Sequence, residues 1–134
     1  MFADIFPITM QIDNIRLGQQ SRDQLVRLKR ITGIEHWNVL CRWALCLSLS
    51  DKNPPPRTKI VGEAAVEMNW KTFAGEYADI YSALLVQRAH DDGRTVSREV
   101  LSELTRTHIT RGIGLLTARR EMAGISSLLR ITPL

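Results

Sequence analysis

Residues 21–49, SRDQLVRLKRITGIEHWNVLCRWALCLSL, decide the fold of this chain, because they predict two helices joined by one tight turn. Ser21 with Gln24 three residues on matches a capping box, which places the start of the first helix at Ser21. Its apolar stripe has three- and four-residue spacing and consists of Leu25, Leu28 and Ile31 or Thr32. The other positions are largely basic, namely Arg22, Arg27, Lys29 and Arg30. Gly33 is the residue type that commonly ends a helix.

The second helix, predicted over residues 35–49, has almost no polar face. Its main apolar residues are Trp37, Leu40, Cys41, Trp43, Ala44 and Leu45. A helix that is apolar all round must be buried all round, and this one is too short to cross a bilayer. Because a chain of this size rarely encloses a helix completely, we assign these six residues to the core or to an oligomer interface, and we expect a second copy to cover part of the helix.

Length and composition indicate a single domain over residues 1–134, in which residues 1–14 and 117–134 are candidates for disorder. The net charges of residues 1–50, 51–93 and 94–134 are +2, −2 and +4, so two basic ends flank an acidic middle. Such ends can attract phosphate. Two cysteines without a secretory signal indicate a reducing cytoplasm rather than a disulfide framework, and no segment suggests a membrane anchor.

The residues before the first helix have a weak alternation that is compatible with a short strand over residues 11–17. A strand, a helix, a short turn and a helix follow one another in ribbon-helix-helix DNA-binding subunits, in which two copies pair their strands. Arg16 in this segment is either a solvated edge residue or a contact to DNA phosphate. We therefore predict a mainly α, oligomeric domain with a ribbon-helix-helix-like core and a possible N-terminal strand.

The rest of the chain is predicted to add two helices. Three prolines at 54–56 form a rigid spacer rather than a peptide ligand, and residues 57–67 are predicted to be a loop. The third helix is predicted over residues 70–90, with Gly75 permitting close packing against another backbone. The fourth is predicted from Ser97 to about Arg111 and to loosen at two glycines that follow.

Residues that could carry chemistry have weak support. The three histidines lack metal-ligand spacing, and the two cysteines point in different directions on one helix, so we predict no catalytic residue, no metal and no cofactor. His108 is an acid or ligand candidate that fits a hydrogen-bonded core position better. Tyr77 and Tyr81 could stack on bases, but an aromatic stripe in helical register is typical of core. Cys41 and Cys46 are expected to be buried, because a reactive thiol needs exposure and a cationic neighbour.

Several unusual blocks of this sequence resemble the DndE family of the bacterial DNA phosphorothioation (DNA sulfur modification) system. The matching blocks are LKRITG at 28–33, WNVLCRWA at 37–44, WKTFAGEY at 70–77 and THITRGIG at 107–114. The resemblance spans about residues 15–115. It implies a subunit that forms a homotetramer, prefers nicked duplex DNA and associates with the sulfur-transfer and ATPase subunits of the same system.

Three functional hypotheses follow from the residues and the resemblance together. The first is a DNA-binding subunit that holds the duplex backbone through Arg16, Arg22, Arg27, Lys29 and Arg30. The second is an assembly adaptor for the other subunits, whose contact with DNA is incidental. The third is a ribbon-helix-helix repressor, which would prefer its operator over unrelated DNA by a factor of about 1,000 or more. Steep weakening of binding by salt separates the first hypothesis from the second.

Overall fold

The computed structural model describes residues 12, 14–57, 59, 60 and 62–119. Its elements in chain order are β1 (Ile15–Leu17), α1 (Gln19–Thr32), α2 (Trp37–Leu49), β2 (Val66–Met68), α3 (Trp70–Ala74), a 3-10 turn (Gly75–Tyr77), α4 (Ala78–Asp91) and α5 (Arg98–Ala118). The described residues are thus mainly helical with one small antiparallel sheet, which confirms the predicted mainly α fold and its short N-terminal strand. Within these ranges no helix combines the length and the apolarity that crossing a membrane requires.

The core forms around α5, which packs against β1, α1, α2 and α4. Its closest neighbour is α2, and the two helices meet at Gly112 and Ala44. A Cβ atom added at Gly112 would lie only 1.8 Å from the carbonyl oxygen of Ala44, so the two backbones approach each other directly. Gly112 therefore stays inside α5 as a packing residue, and the prediction that the helix loosens after Arg111 is wrong.

Helix α1 confirms the predicted stripe but corrects its start. The helix begins at Gln19, and its N-cap residue is Gly18, so no side chain caps the first turn. Ser21 lies inside the helix with 4% of its surface exposed. The capping-box prediction is wrong because Ser21 shares the buried side of the helix with the two leucines of the stripe. Thr32 completes that stripe, while Ile31 is 42% exposed. Gly33 ends the helix in the left-handed conformation (φ 76°), as predicted.

The strand predicted near the N-terminus is present as β1, and its partner is in the same chain. β1 pairs antiparallel with β2, with Arg16 opposite Glu67. The ribbon-helix-helix arrangement would instead pair this strand with its copy in a second subunit. β2 lies in the segment predicted to be a loop, because three residues are too few to produce a recognisable alternation.

The third predicted helix is divided in two. Gly75 has φ 59° and separates α3 from the 3-10 turn and α4, so it is a break rather than a packing residue. Ser97 caps α5, since its Oγ accepts a hydrogen bond from the Val100 N–H at 3.2 Å. α5 then runs through Ala118 and includes the first two residues of the predicted disordered tail. Residues 120–134 of that tail and most of residues 1–14 lie outside the described ranges.

Candidate nucleic-acid interface

The exposed side of α1 is basic along its length. Its buried side consists of Ser21, Leu25, Leu28 and Thr32. The other side carries four predicted DNA-binding residues, all of them exposed, namely Arg22, Arg27, Lys29 and Arg30. The only acidic residue of the helix is Asp23, whose Oδ1 accepts a hydrogen bond from Gln19 at 2.9 Å. One helix surface therefore presents four positive charges against a single negative one.

These four residues differ in how firmly they are held. The guanidinium carbon of Arg22 lies 5.7 Å from the ring centroid of Trp37, a distance typical of a cation–π contact. Arg27, Lys29 and Arg30 form no ion pair with any residue in the described ranges. Three cations of α1 are thus available to an external anion.

The fifth predicted DNA-binding residue, Arg16, is separate from the helix. Its Nε lies 3.5 Å from Oε1 of Glu67 across the strand pair, and both side chains are about half exposed. Asn14 donates a hydrogen bond to the same carboxylate oxygen at 2.9 Å. Because Glu67 partly neutralises Arg16, this residue is a weaker phosphate ligand than the cations of α1.

Arg16 also borders an open groove of about 1050 Å³ between β1 and the starts of α3 and α5. The groove is lined by cations, including Lys71, but also by the carboxylates of Glu99 and Glu103. Glu103 forms an ion pair with Arg94 at 2.7 Å. The mixed charge makes this groove a poorer phosphate site than the surface of α1.

The residues assigned to the core or an oligomer interface divide into two groups. Leu40, Cys41, Ala44 and Leu45 are fully buried by the chain itself, so they have no surface left for a second copy. Trp37 and Trp43 are half-buried and pack at the edge of the core. α2 is therefore enclosed mainly within one chain, through its contact with α5.

A buried polar cluster joins α2, α4 and α5. The Oγ of Ser48 lies 2.7 Å from His108 Nδ1 and accepts a hydrogen bond from Arg111 Nε at 2.8 Å. Arg88 pairs with Asp92 at 3.1 Å. Arg88 and Arg111 also donate to backbone carbonyls in the last turn of α2 and just after it, at Ser48, Leu49, Asp51 and Asn53. The cluster fixes the path of the chain as it leaves α2.

His108 is a buried residue of this cluster. Burial, assisted by the positive charges of Arg88 and Arg111, lowers the pKa of His108 from 6.5 to about 4. The ring is therefore neutral at physiological pH, and no described residue bonds its Nε2. The sequence analysis placed His108 in the core but missed the cluster around it, because Ser48 and Arg88 lie on other helices and meet it only in the folded chain.

The two cysteines have different environments. Cys41 is fully buried, and burial raises its pKa to about 12. Cys46 is exposed, which corrects the expectation that both are buried, although partial desolvation still raises its pKa. A raised pKa disfavours the nucleophilic thiolate. Across the described ranges, no three His, Cys, Asp or Glu side chains converge as metal ligands.

The aromatic stripe predicted on the third helix is only partly core. Phe73 is fully buried, and Tyr81 is half-buried with its ring 5.6 Å from that of Phe73. Tyr77, Ile80 and Leu84 are 49%, 58% and 43% exposed. The expectation that the aromatic stripe lies in the core is therefore wrong for Tyr77. Together with Ile80 and Leu84, Tyr77 forms an exposed apolar stripe.

Comparison with known proteins agrees with the resemblance seen in the sequence. Residues 14–124 match the family model described as DndE, DNA sulphur modification protein DndE. Among solved structures, the fold is similar to the crystal structure of DndE from Escherichia coli B7A involved in DNA phosphorothioation modification, with a TM-score of 0.61 and 24% sequence identity. That match covers 77% of this chain and 94% of the other. A search of curated proteins finds no match. The chain therefore belongs to the DndE family.

Proposed function

We propose that this chain is a non-catalytic, DNA-binding subunit of the bacterial DNA phosphorothioation system, acting in the cytoplasm. Membership of the DndE family supports involvement in DNA phosphorothioation. The DNA-binding part of the proposal is supported chiefly by one observation, the unpaired basic surface of α1. Arg27, Lys29 and Arg30 lie within four residues on its exposed side, where they can reach neighbouring phosphates.

Contacts of this kind hold a protein on the duplex without reading its sequence. Arginine and lysine bind backbone phosphates through charge, whereas base readout needs side chains that enter a groove. The exposed side of α1 carries mainly cations, together with Val26 and Ile31. We therefore propose binding that is indifferent to sequence, which distinguishes this protein from a ribbon-helix-helix repressor.

The remaining features of the proposal come from the family resemblance. We propose that the protein assembles as a homotetramer, prefers nicked duplexes and contacts the sulfur-transfer and ATPase subunits of the system. Oligomerisation would multiply a modest charge per chain, because each copy presents the same cations and the contacts act together. The absence of a catalytic role is supported by the raised thiol pKa values and the lowered pKa of His108.

The test is binding of purified protein to intact and singly nicked duplexes of unrelated sequence across a salt series. The test variant changes Arg27 and Arg30 to Ala. The control changes two exposed cations elsewhere, Arg57 and Lys59, and so removes the same charge. Each phosphate contact adds about 0.9 to the magnitude of the log–log salt slope, so the test variant should lose about 1.8 per chain while the control keeps the wild-type slope.

The outcomes of this assay separate the candidate functions. Wild-type binding that is salt-sensitive, stronger on nicked duplex and weakened only in the test variant would support the proposal. Equal weakening in both variants would mean that net charge rather than α1 carries the binding. No binding at low salt would favour the second candidate, an assembly adaptor, for which the exposed apolar stripe of α4 is the supporting observation.

A further inference from the structure

The exposed apolar stripe consists of Tyr77 at the end of the 3-10 turn and Ile80 and Leu84 on α4. Steps of three and then four residues place them along one line of the helix, the spacing of a helix–helix seam. The opposite side of α4 is buried and consists of Ser82, Leu85, Val86, Arg88 and Ala89. A helix with solvent on its outer side normally carries polar residues there, so this stripe is suited to a partner.

We propose that the stripe binds the same stripe of a second copy, with the two α4 helices antiparallel across a two-fold axis. The inference rests on the oligomeric part of the proposed function and names the surface involved. In such a contact each residue meets its symmetry counterpart, so one patch must complement itself. An axis midway between Ile80 and Leu84 sets Ile80 of one copy against Leu84 of the other.

The shape of the patch provides the first element of self-complementarity. A groove of about 480 Å³ lies at the C-terminal half of α4, lined by Leu49, Lys52, Leu84 and Gln87 among others. Tyr77 is five positions before the midpoint of the stripe, and Gln87 is five positions after it. At 1.5 Å per residue, both lie about 7.5 Å from the axis, so the Tyr77 ring of each copy faces the groove of the other.

The charges at the two ends of the patch provide the second element. Glu76, next to Tyr77, and Lys52, at the groove, are both exposed. The groove also holds Asp92, which is paired with Arg88, and Asp91, which accepts a hydrogen bond from Gln87. Neither forms an ion pair with a residue in the described part of the chain. The antiparallel arrangement brings Glu76 of each copy to Lys52 of the other. The Tyr77 ring, the groove that would receive it, and the charges of Glu76 and Lys52 thus all belong to one patch of one chain. Such a self-complementary patch favours a second copy over an unrelated protein as the partner.

The first test measures the mass of the full-length protein by sedimentation equilibrium over a range of concentrations. The variant Ile80→Glu with Leu84→Glu places four like charges at the axis of a pair and should raise the dissociation constant of that pair at least 100-fold. The matched control is Val26→Glu with Ile31→Glu, since these residues are 45% and 42% exposed on α1. It makes the same change in charge and should leave the mass unaltered.

A second test uses charge reversal and does not touch the apolar residues. Lys52→Glu and Glu76→Lys should each weaken association about tenfold, and the double variant should restore it, because the pair is re-formed with its signs exchanged. Both positions are exposed, so the variants should fold, which circular dichroism checks. Restoration in the double variant is a result that neither misfolding nor a change in net charge would produce.

Several results would overturn the inference. A wild-type protein that is monomeric at every concentration would do so, as would a stripe variant that keeps the wild-type mass. Loss of binding to another subunit of the system without any change in mass would assign the stripe to that partner instead. The DNA assay is independent: association through α4 without DNA binding would refute the proposed DNA binding and leave the inference standing. A stripe variant that binds DNA and keeps the wild-type mass would refute the inference alone, and DNA binding by a monomer would refute both the inference and the proposed homotetramer.

Discussion

Replacing Gly112 with Ala should destabilise this protein far more than the same change two residues later at Gly114. A Cβ atom at Gly112 would lie 1.8 Å from the Ala44 carbonyl oxygen and 2.4 Å from its carbonyl carbon. Carbon–oxygen contacts normally begin near 3.3 Å, so α2 and α5 must separate by about 1.5 Å. At Gly114 an added Cβ meets nothing within 4 Å.

The expected free-energy changes have opposite signs. Overpacking of a core costs about 1–3 kcal/mol, and the upper end applies here because the obstacle is backbone that cannot rotate aside. The greater helix propensity of alanine returns about 1 kcal/mol. Gly112→Ala should therefore lower the free energy of unfolding by about 2 kcal/mol or more. Gly114→Ala meets no steric obstacle, so its greater helix propensity should raise the free energy of unfolding by about 0.5–1 kcal/mol.

Urea unfolding followed by circular dichroism measures both changes. With an m-value of about 2 kcal/mol per molar, Gly112→Ala should move the midpoint down by about 1 M and Gly114→Ala should move it up by a few tenths. All proteins are compared at one concentration, because self-association would make stability concentration-dependent. A Gly112→Ala protein as stable as wild type, or equal losses in both variants, would refute the backbone contact.

The buried cluster and the cysteines give three further expected results. Arg88→Met should lower the free energy of unfolding, measured with denaturant, by about 3 kcal/mol or more, because it leaves the buried carboxylate of Asp92 unpaired. The control Arg16→Ala removes an exposed ion pair and should lower it by less than about 1 kcal/mol. As the pH falls from 6.5 to 4, the free energy of unfolding of wild type should fall by up to roughly 3 kcal/mol relative to that of His108→Asn. The reason is that the pKa of the folded ring is about 4, so only the unfolded ring binds a proton in that interval. Parallel curves of stability against pH for the two proteins would contradict the lowered pKa. Iodoacetamide should label Cys46 slowly in the native protein, because its raised pKa reduces the thiolate fraction, and should label Cys41 only after unfolding. Two thiols labelled in the native state would contradict the burial of Cys41.

The sequence predicted best what depends on local periodicity and end signals. The apolar stripe of α1, its stop at Gly33 and the cap of α5 at Ser97 all follow from spacing and residue type. It failed where a tertiary contact replaced a local rule. Gly112 resembles a helix end in the sequence but is required for the approach of α2, and the capping residue predicted at Ser21 belongs to the buried side of α1.

The candidate site was predictable in part for the same reason. The cations of α1 are exposed because they alternate with a clear apolar stripe, so their placement follows from helical geometry alone. That Arg16 pairs with Glu67 was not predictable, since the two residues are distant in sequence and meet only through β2. The exposure of Ile80 and Leu84 depends on which side of α4 contacts α5. Because α4 has apolar residues on two sides, the periodicity of its sequence does not determine which side that is.

The central position of α5 has a consequence for synthesis on the ribosome. α5 is the last helix in the described ranges, yet it contacts β1, α1, α2 and α4. Roughly 70 residues separate the end of α2 from the end of α5, which takes about 4–14 s at ordinary translation rates. During that interval the apolar sides of α1 and α2 lack their main cover. The nascent chain therefore exposes apolar helix surfaces of the kind that chaperones bind, and it can complete its core only after α5 has emerged.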